Sequence, residues 1–157
     1  MTDDDAAPRL AQALFIDDSA AEIRLVTELL NRARVQFDGH WVSCGEDALN
    51  FLRHAPGFEH APAPDVIFLD LNLPRISGAK VLQTIQSDPE LSRIPVVILS
   101  GSDYDDDVNA AREMGAAHYV VKPLDHTKLT ETVALIDTLR LEQNGGEWLL
   151  RPAETVS

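Results

Sequence analysis

Polar side chains stand at the ends of four apolar runs in this chain, and their types are those that bind cations and phosphoryl groups. In chain order they are Asp17, Asp18, Asp70, Asn72, Ser100 and Lys122. The run 66–69 before Asp70 is typical of a buried parallel strand, because it is continuous and branched and leads into a turn at Pro74. Ligands of open α/β sheets bind at the carboxyl ends of the strands. Asp70 alone could equally be a turn residue, so the other members of the set decide its interpretation.

In a parallel sheet these strand ends meet at one edge, where the set could do chemistry. Three carboxylates repel one another unless a cation lies among them, and oxygen ligands without His or Cys suit a hard ion such as Mg²⁺. Lys122 can bind a phosphoryl group and Ser100 can donate a hydrogen bond to it. Asp70 beside these groups is a candidate nucleophile that would form an acyl phosphate. The set therefore favours Mg²⁺-dependent phosphoryl transfer.

The composition argues against several classes of function. The chain has 157 residues, of which 45% are hydrophobic and 25% charged, which indicates one globular domain. Its net charge of -13 argues against nucleic acid or an anionic membrane as a partner. The single cysteine, Cys44, cannot form an internal disulfide, and the acidic N-terminus lacks the pattern of a signal peptide. No apolar run approaches the ~20 residues of a membrane span, so we expect a cytoplasmic protein.

Apolar periodicity predicts five strands that alternate with five helices. The strands are expected at 11–16, 36–43, 65–69, 95–99 and 117–121, and the helices at 20–34, 45–54, 78–87, 105–114 and 125–141. This alternation predicts an α/β fold in which helices cover both faces of a parallel sheet. Phe37 and Trp41 are expected to add apolar bulk to the second strand. Ser19 and Glu22 match a capping box, in which the hydroxyl and the carboxylate bond the first amides of a helix.

The ends of the chain and one acidic cluster need separate interpretation. Residues 1–9 are expected to be flexible, 10–141 to form the main domain, and 142–157 to form a tail too short for a DNA-binding output domain. The tail carries Trp148, Leu149 and Leu150. These three residues either fold back on the domain or pack on a second subunit. The acids within 103–107 are expected to be N-terminal charges of the fourth helix, favoured by its dipole.

Four motifs together resemble those of the two-component response-regulator receiver domain. They are Phe15-Ile-Asp-Asp-Ser19, Phe68-Leu-Asp-Leu-Asn-Leu-Pro74 with Gly78, Ile98-Leu-Ser100 and Val121-Lys-Pro123. Their order and spacing match over roughly residues 10–140, which is much more specific than any one motif. The resemblance implies a doubly wound, flavodoxin-like fold with five parallel strands in the order 2-1-3-4-5.

The resemblance also implies a role for each residue that would react or switch. Asp70 matches the phospho-acceptor, and Lys122 matches the lysine of the receiver site. Ser100 matches the switch hydroxyl, and Tyr119, three residues before the lysine, matches the switch aromatic. The bond from Lys122 to Pro123 is expected to be cis, an uncommon state for X–Pro bonds. For Tyr119 by itself, a place in the core is the ordinary alternative.

A metal site is implied in the same way. Asp17 and Asp18 match the acid pair of the family, with Asp18 a direct Mg²⁺ ligand. Asp70 completes the carboxylates, and Asn72 matches the position whose backbone carbonyl binds the metal. Taken singly, Asp17 and Asp18 would be ordinary N-terminal acids of a helix, and the joint spacing is what favours the metal site.

The implied partner is a sensor histidine kinase that phosphorylates Asp70. The segments 58–65 and 70–75 resemble the stand-alone receivers that are paired with phytochrome-type kinases, so the kinase could be a bacteriophytochrome. Such a protein is a phosphoryl acceptor with at most autophosphatase activity. It signals through protein contacts, phosphate relay or dimerisation, and a homodimer is expected.

Two other functions compete with this interpretation. A phosphohydrolase that resembles the haloacid-dehalogenase group requires a second acid two residues after the nucleophile, and here that position is Asn72, which cannot act as a general acid. A receiver-like interaction module that takes no phosphate would lack one of the acids or the lysine. All of these residues are present in the chain, as Asp17, Asp18, Asp70 and Lys122.

Overall fold

The structure of the protein is a computed structural model that describes residues 9–101 and 105–153, without the side chains of 105–107. Most of the N-terminal segment expected to be flexible, and the acids within 103–107, are therefore outside the described side chains. The described strands are β1 (Gln12–Ile16), β2 (Val35–Gln36), β3 (Asp38–Val42), β4 (Val66–Asp70), β5 (Val96–Ser100), β6 (His118–Val121), β7 (Leu139–Asn144) and β8 (Glu147–Pro152). The described helices are α1 (Ala20–Arg32), α2 (Gly45–Leu52), α3 (Gly78–Ser87), α4 (Asp105–Glu113) and α5 (His126–Ala134), with a 3-10 turn at Leu91–Arg93.

Five strands form one parallel sheet in the order β3-β1-β4-β5-β6. This is the order 2-1-3-4-5 of the five predicted strands, so the doubly wound, flavodoxin-like fold is confirmed. Strand β1 lies between β3 and β4, with Phe15 beside both Trp41 and Phe68. Since the five strands are parallel, their carboxyl ends lie at one edge of the sheet.

The sheet is buried on both faces because its strands carry apolar residues at successive positions. In β4, Val66 and Phe68 belong to the core shared with α1 and α5, whereas Ile67 and Leu69 belong to the core shared with α2, α3 and α4. All five residues of β4 are buried, Asp70 included. The packing of β4 on both faces therefore fixes the position of the Asp70 carboxylate at its end.

The second predicted strand, 36–43, is wrong at its start and in the packing of its tryptophan. Val35 and Gln36 pair with β8 in a second sheet, and the strand of the main sheet runs from Asp38 to Val42. Phe37, between the two, packs against the core. Trp41 is 44% exposed, because β3 is an edge strand and α1 covers only part of it.

The start of α1 confirms only half of the expected capping box. The Ser19 hydroxyl accepts a hydrogen bond from the Glu22 backbone N–H at 3.2 Å. The Ser19 backbone N–H, however, donates to the carboxylate of Asp17 at 2.8 Å. The Glu22 carboxylate instead accepts a hydrogen bond from Lys122, because a full charge attracts it more strongly than an amide does.

The last helix is shorter than predicted, and the chain beyond it forms a hairpin. Helix α5 begins after Asp125, whose side chain accepts from the Lys128 backbone N–H, but it ends at Ala134 instead of 141. Strands β7 and β8 pair antiparallel around a two-residue Gly145–Gly146 turn, with φ of 65° at Gly145. Glycine tolerates this left-handed conformation, and two-residue hairpin loops select for it.

The hairpin packs on the domain, in agreement with the predicted alternative in which the tail folds back. Strand β8 pairs parallel with β2, and the backbone N–H of Ala11 donates to the Leu150 carbonyl at 2.8 Å. Leu150 is 1% exposed and belongs to the core cluster of α1 and α5, and Trp148 packs against that cluster.

Among the described residues, none of the helices combines the length and the apolar composition that a membrane-spanning helix requires.

Candidate functional site

The predicted site residues converge at the carboxyl edge of the sheet. Asp17 and Asp18 follow β1, Asp70 and Ser100 are the last residues of β4 and β5, and Lys122 follows β6. The parallel pairing of the strands brings these ends together, although the residues are up to 105 positions apart in the chain.

Three carboxylates form a cluster that could hold a cation. Oxygens of Asp17, Asp18 and Asp70 all lie within 4.8 Å of one another. Asp17 and Asp70 are buried, at 4% and 5% exposure, and Asp18 is exposed. A donor set of carboxylate oxygens with one side open to water fits Mg²⁺, which keeps several waters and binds through one or two carboxylates.

The environment of the Asp17 side chain disfavours its charged, deprotonated form. Burial raises its pKa from the usual 3.8 to about 6, against the lowering effect of the Ser19 backbone hydrogen bond. The neighbouring Glu22 and Asp70 add to the rise, whereas the charge of Lys122 opposes it. Crowded, desolvated acids of this kind are stabilised by a cation.

Lys122 supplies a positive charge among these acids. Its ammonium lies 3.2 Å from Asp17 and 3.3 Å from Asp70, and its side chain is 16% exposed. Burial lowers the pKa of Lys122, but the hydrogen bond to Glu22 and the charges of Asp70 and Asp17 outweigh it, so the pKa lies above its usual value. The lysine is therefore charged and directed at the carboxylate that is the candidate acceptor.

Glu22 is a residue of the site that the sequence reasoning missed. Its carboxylate oxygen lies 2.5 Å from the Lys122 ammonium, and that hydrogen bond lowers the pKa of Glu22. The available signal was its place in the first turn of α1, directly after the acid pair. The predicted capping box pairs the Glu22 carboxylate with a backbone N–H and so gives no indication of its contact with Lys122.

The loop after β4 fixes the orientation of Asp70. The Asn72 backbone N–H donates to Asp70 Oδ1 at 2.9 Å, and the Gly78 N–H donates to the Leu71 carbonyl at 3.0 Å. A Cβ atom at Gly78 would lie 2.3 Å from the Asp70 carbonyl oxygen and 2.5 Å from the Leu71 Cα. Only glycine therefore allows the start of α3 to approach the backbone of Asp70 this closely.

Ser100 and Tyr119 lie on neighbouring strands beside this loop. Ser100 is buried, and its carbonyl accepts from the Lys122 backbone N–H at 2.7 Å. Tyr119 is partly buried against the core cluster of α2, α3 and α4, and it lines a cavity of about 260 Å³ together with Val108 and Leu135. The bond from Lys122 to Pro123 is cis, as expected.

A further contact, also missed in the sequence, reaches the acid pair from the sheet edge. The indole N–H of Trp41 donates to the Asp17 carbonyl oxygen at 2.7 Å. The backbone N–H of Asp17 in turn donates to the Val42 carbonyl at 3.2 Å. Trp41 was expected to provide apolar bulk, and its position one residue before the end of β3 was the only available signal.

Comparison with known proteins identifies a family whose members resemble this chain over most of its length. The profile of the response regulator receiver domain family matches residues 13–134. Response regulator Rcp1 of Synechocystis sp. is 36% identical over 142 residues, which cover 90% of this chain and 95% of Rcp1.

Solved structures of similar proteins agree in fold. The Mn²⁺-bound form of Rcp1 has a TM-score of 0.70 at 34% identity, covering 85% of this chain and 99% of that one. The phosphorylated cyanobacterial phytochrome response regulator RcpA has a TM-score of 0.67 at 37% identity, covering 76% and 86%. The bacteriophytochrome response regulator RtBRR has a TM-score of 0.75 at 31% identity, covering 87% and 84%. The resemblance to phytochrome-associated regulators, first drawn from motifs, is confirmed.

Proposed function

The chain belongs to the response regulator receiver domain family, and from that premise we propose that it accepts a phosphoryl group on Asp70 from a sensor histidine kinase, in a Mg²⁺-dependent relay. The observation that carries this proposal is the surrounding of Asp70. Its buried carboxylate has the Lys122 ammonium at 3.3 Å, and carboxylate oxygens of the acid pair lie within 4.8 Å of it. A nucleophile, a cation and a candidate metal site thus meet at one point.

The transfer needs no other nucleophile than Asp70. One oxygen of its carboxylate attacks the phosphorus of a phosphohistidine on the kinase, so a P–O bond forms and the P–N bond breaks. The electron pair of the broken bond passes to the imidazole nitrogen, which leaves as neutral imidazole when its other nitrogen carries a proton. The product is an aspartyl phosphate.

Three groups of the chain act on the transferred phosphoryl oxygens. Lys122 shifts from the Asp70 carboxylate to a phosphoryl oxygen and offsets its charge. The Ser100 hydroxyl, at the end of the neighbouring strand, donates to a second oxygen. Asp17 and Asp18, with Asp70 and the Asn72 carbonyl, would hold Mg²⁺, which would supply further positive charge to offset that of the phosphoryl group.

Phosphorylation is read out as a change of surface. Ser100 moves toward the phosphoryl group, and the Tyr119 ring turns inward behind it. Tyr119 lines a cavity of about 260 Å³ whose other walls include Val108 of α4 and Leu135, so a movement of its ring would be felt on that surface. The surface of α4, β6 and α5 then changes, which is a two-state switch biased by a local charge.

The partner kinase is proposed to be a bacteriophytochrome, located with this protein in the cytoplasm. Similarity to Rcp1, RcpA and RtBRR supports this, since two of these proteins carry phytochrome or bacteriophytochrome in their names.

We also propose a homodimer, supported by Leu135, an apolar residue that is 59% exposed beside the Tyr119 cavity. Light scattering of the wild type and of Leu135→Asp tests it, and equal molar masses would count against it.

The acceptor role is tested by intact-mass measurement after treatment with a small phosphodonor and Mg²⁺. We expect a gain of one phosphoryl group on the wild type and none on Asp70→Asn. The matched control is Asp137→Asn, which removes an exposed acid from the connection between α5 and β7 and should leave the gain unchanged. An undiminished gain in Asp70→Asn would disprove the assignment.

The same experiment separates the two other functions. A phosphohydrolase would release phosphate continuously without a stable adduct, whereas a receiver domain holds a single equivalent. An interaction module would gain no mass at any phosphodonor concentration. Transfer profiling against histidine kinases then identifies the partner, and a bacteriophytochrome should transfer fastest.

A further inference from the structure

Trp41 is an exposed aromatic residue whose hydrogen bond is directed at the acid pair. It lies on the edge strand β3 and is 44% exposed, whereas most large aromatic residues bury their rings. Its indole N–H donates to the Asp17 carbonyl at 2.7 Å. This carbonyl belongs to the peptide that joins Asp17 to Asp18, so the indole holds the backbone between the two acids.

Strand β3 forms hydrogen bonds with both backbone groups of Asp17, its N–H and its carbonyl. The backbone N–H of Asp17 donates to the Val42 carbonyl at 3.2 Å, while its carbonyl accepts from the Trp41 side chain. The two peptide planes that flank Asp17 are therefore both bonded to the end of one strand. Asp18 is exposed, so the orientation of its backbone, more than packing of its side chain, sets the direction of its carboxylate.

The Trp41 ring is not enclosed by its neighbours. It borders a groove of about 490 Å³ that Phe15, Ile23 and Thr27 also line, and the residue is 44% exposed. The hydrogen bond to Asp17 is then the directional contact that fixes it.

We propose that Trp41 is a positioning residue for the metal site, which orients the Asp17–Asp18 backbone through its indole N–H. The inference rests on the proposed function, because it assumes that the acid pair binds a divalent cation. Coupling between two sites is reciprocal. A cation that orders the acid pair must therefore also change the hydrogen bond of the indole.

The two tryptophans of the chain provide a matched pair of variants. Trp41→Phe keeps an aromatic ring and removes the N–H, while Trp148→Phe makes the same change on β8, where the ring packs against His126. Incorporation of benzothienylalanine at position 41 replaces only the N–H by sulfur and serves if the Phe variant folds poorly. Each variant is titrated with Mg²⁺, and its unfolding is measured in EDTA.

Loss of one hydrogen bond should weaken Mg²⁺ binding about two- to tenfold in Trp41→Phe and in the benzothienylalanine protein. Trp148→Phe should bind as the wild type does. In the ¹⁵N-labelled wild type, the Nε1–H resonance of Trp41 should shift on Mg²⁺ addition, and that of Trp148 should stay. A purely structural role would change the unfolding in EDTA but neither the affinity nor this resonance.

Failure of the inference is distinguishable from failure of the proposed function. If the wild type binds Mg²⁺ and loses binding in Asp18→Asn, the metal site stands. Equal affinities of the wild type and Trp41→Phe, or an unmoved Trp41 resonance, then overturn the positioning role alone. If the wild type binds no Mg²⁺ at all, both the metal site and the role of Trp41 are overturned.

Discussion

The ammonium of Lys122 lies 2.5 Å from the carboxylate of Glu22, nearer than it lies to Asp17 or Asp70. Lys122 is thus held partly by a residue of α1 that has no role in the proposed transfer. A phosphoryl group on Asp70 would compete with the Glu22 carboxylate for the Lys122 ammonium. Glu22 would also add negative charge near the incoming phosphoryl group.

Glu22→Gln should therefore accelerate phosphorylation by a small phosphodonor at saturating Mg²⁺. Because Glu22 is 44% exposed, we expect the effect of a solvated ion pair, roughly two- to fivefold. The rate is measured by intact mass over time. Glu28→Gln removes the same charge from the same helix, where it pairs with the exposed Arg32, and should leave the rate unchanged. A slower Glu22→Gln would show that Glu22 assists Lys122.

Asp17 should make the metal-free protein less stable as pH rises. Its pKa is raised from 3.8 to about 6, mainly by burial, so the folded state holds the proton more tightly than the unfolded state. The favourable contribution of Asp17 is complete below pH 3.8 and is lost as pH rises through about 6. Asp17→Asn has no such proton to lose.

Unfolding by urea in EDTA, at about pH 4 and about pH 7, measures this difference. We subtract the unfolding free energy of Asp17→Asn from that of the wild type at each pH. This difference should fall by about 3 kcal/mol from the lower pH to the higher one. A difference that stays constant, or grows, would show that Lys122 compensates the ionised carboxylate in full. Added Mg²⁺ should remove the disadvantage of the ionised state.

The polar residues at strand ends could be predicted because strand and chemistry coincide in the sequence. An apolar run that stops at Asp70, Ser100 or Lys122 marks both the strand and the edge at which it ends. Glu22 and Trp41 could not be assigned in that way. Their contacts depend on the rotation of α1 and on which strand lies at the sheet edge, and both are set by tertiary packing.

The end of α5 shows the limit of apolar periodicity. Leu129, Val133, Ile136 and Leu139 recur at helical spacing, and all four are buried. Leu139 is nevertheless the first residue of β7. The helical spacing continues across a turn, and Gly145–Gly146 is the loop of a hairpin. Local pattern predicted the burial of Leu139 but not its conformation.

Leu150→Ala should destabilise the domain, since the hairpin completes its core. Leu150 is 1% exposed among residues of α1 and α5, and truncation of a buried leucine costs about 2–5 kcal/mol. Leu25→Ala, at a position of α1 that is 45% exposed, should change the unfolding free energy by less than about 0.5 kcal/mol. Urea unfolding of both variants measures the difference, and a small effect at Leu150 would mean that the hairpin is dispensable.

Gly78→Ala should disturb Asp70 without touching any charged group. Its Cβ would lie 2.3 Å from the Asp70 carbonyl oxygen, so the loop after β4 or the start of α3 must move. We expect a loss of about 1–3 kcal/mol in unfolding free energy, together with slower phosphorylation at saturating Mg²⁺, because Asp70 no longer faces Lys122 at 3.3 Å.

Gly101→Ala is the matched control, since a Cβ there meets no atom within 4 Å and the residue directly follows Ser100. It should keep both the stability and the phosphorylation rate. If Gly78→Ala lost stability but kept the rate, the approach of α3 would serve packing alone. A loss of both in Gly78→Ala, with Gly101→Ala unchanged, would show that the close contact with the backbone of Asp70 sets the geometry of the acceptor.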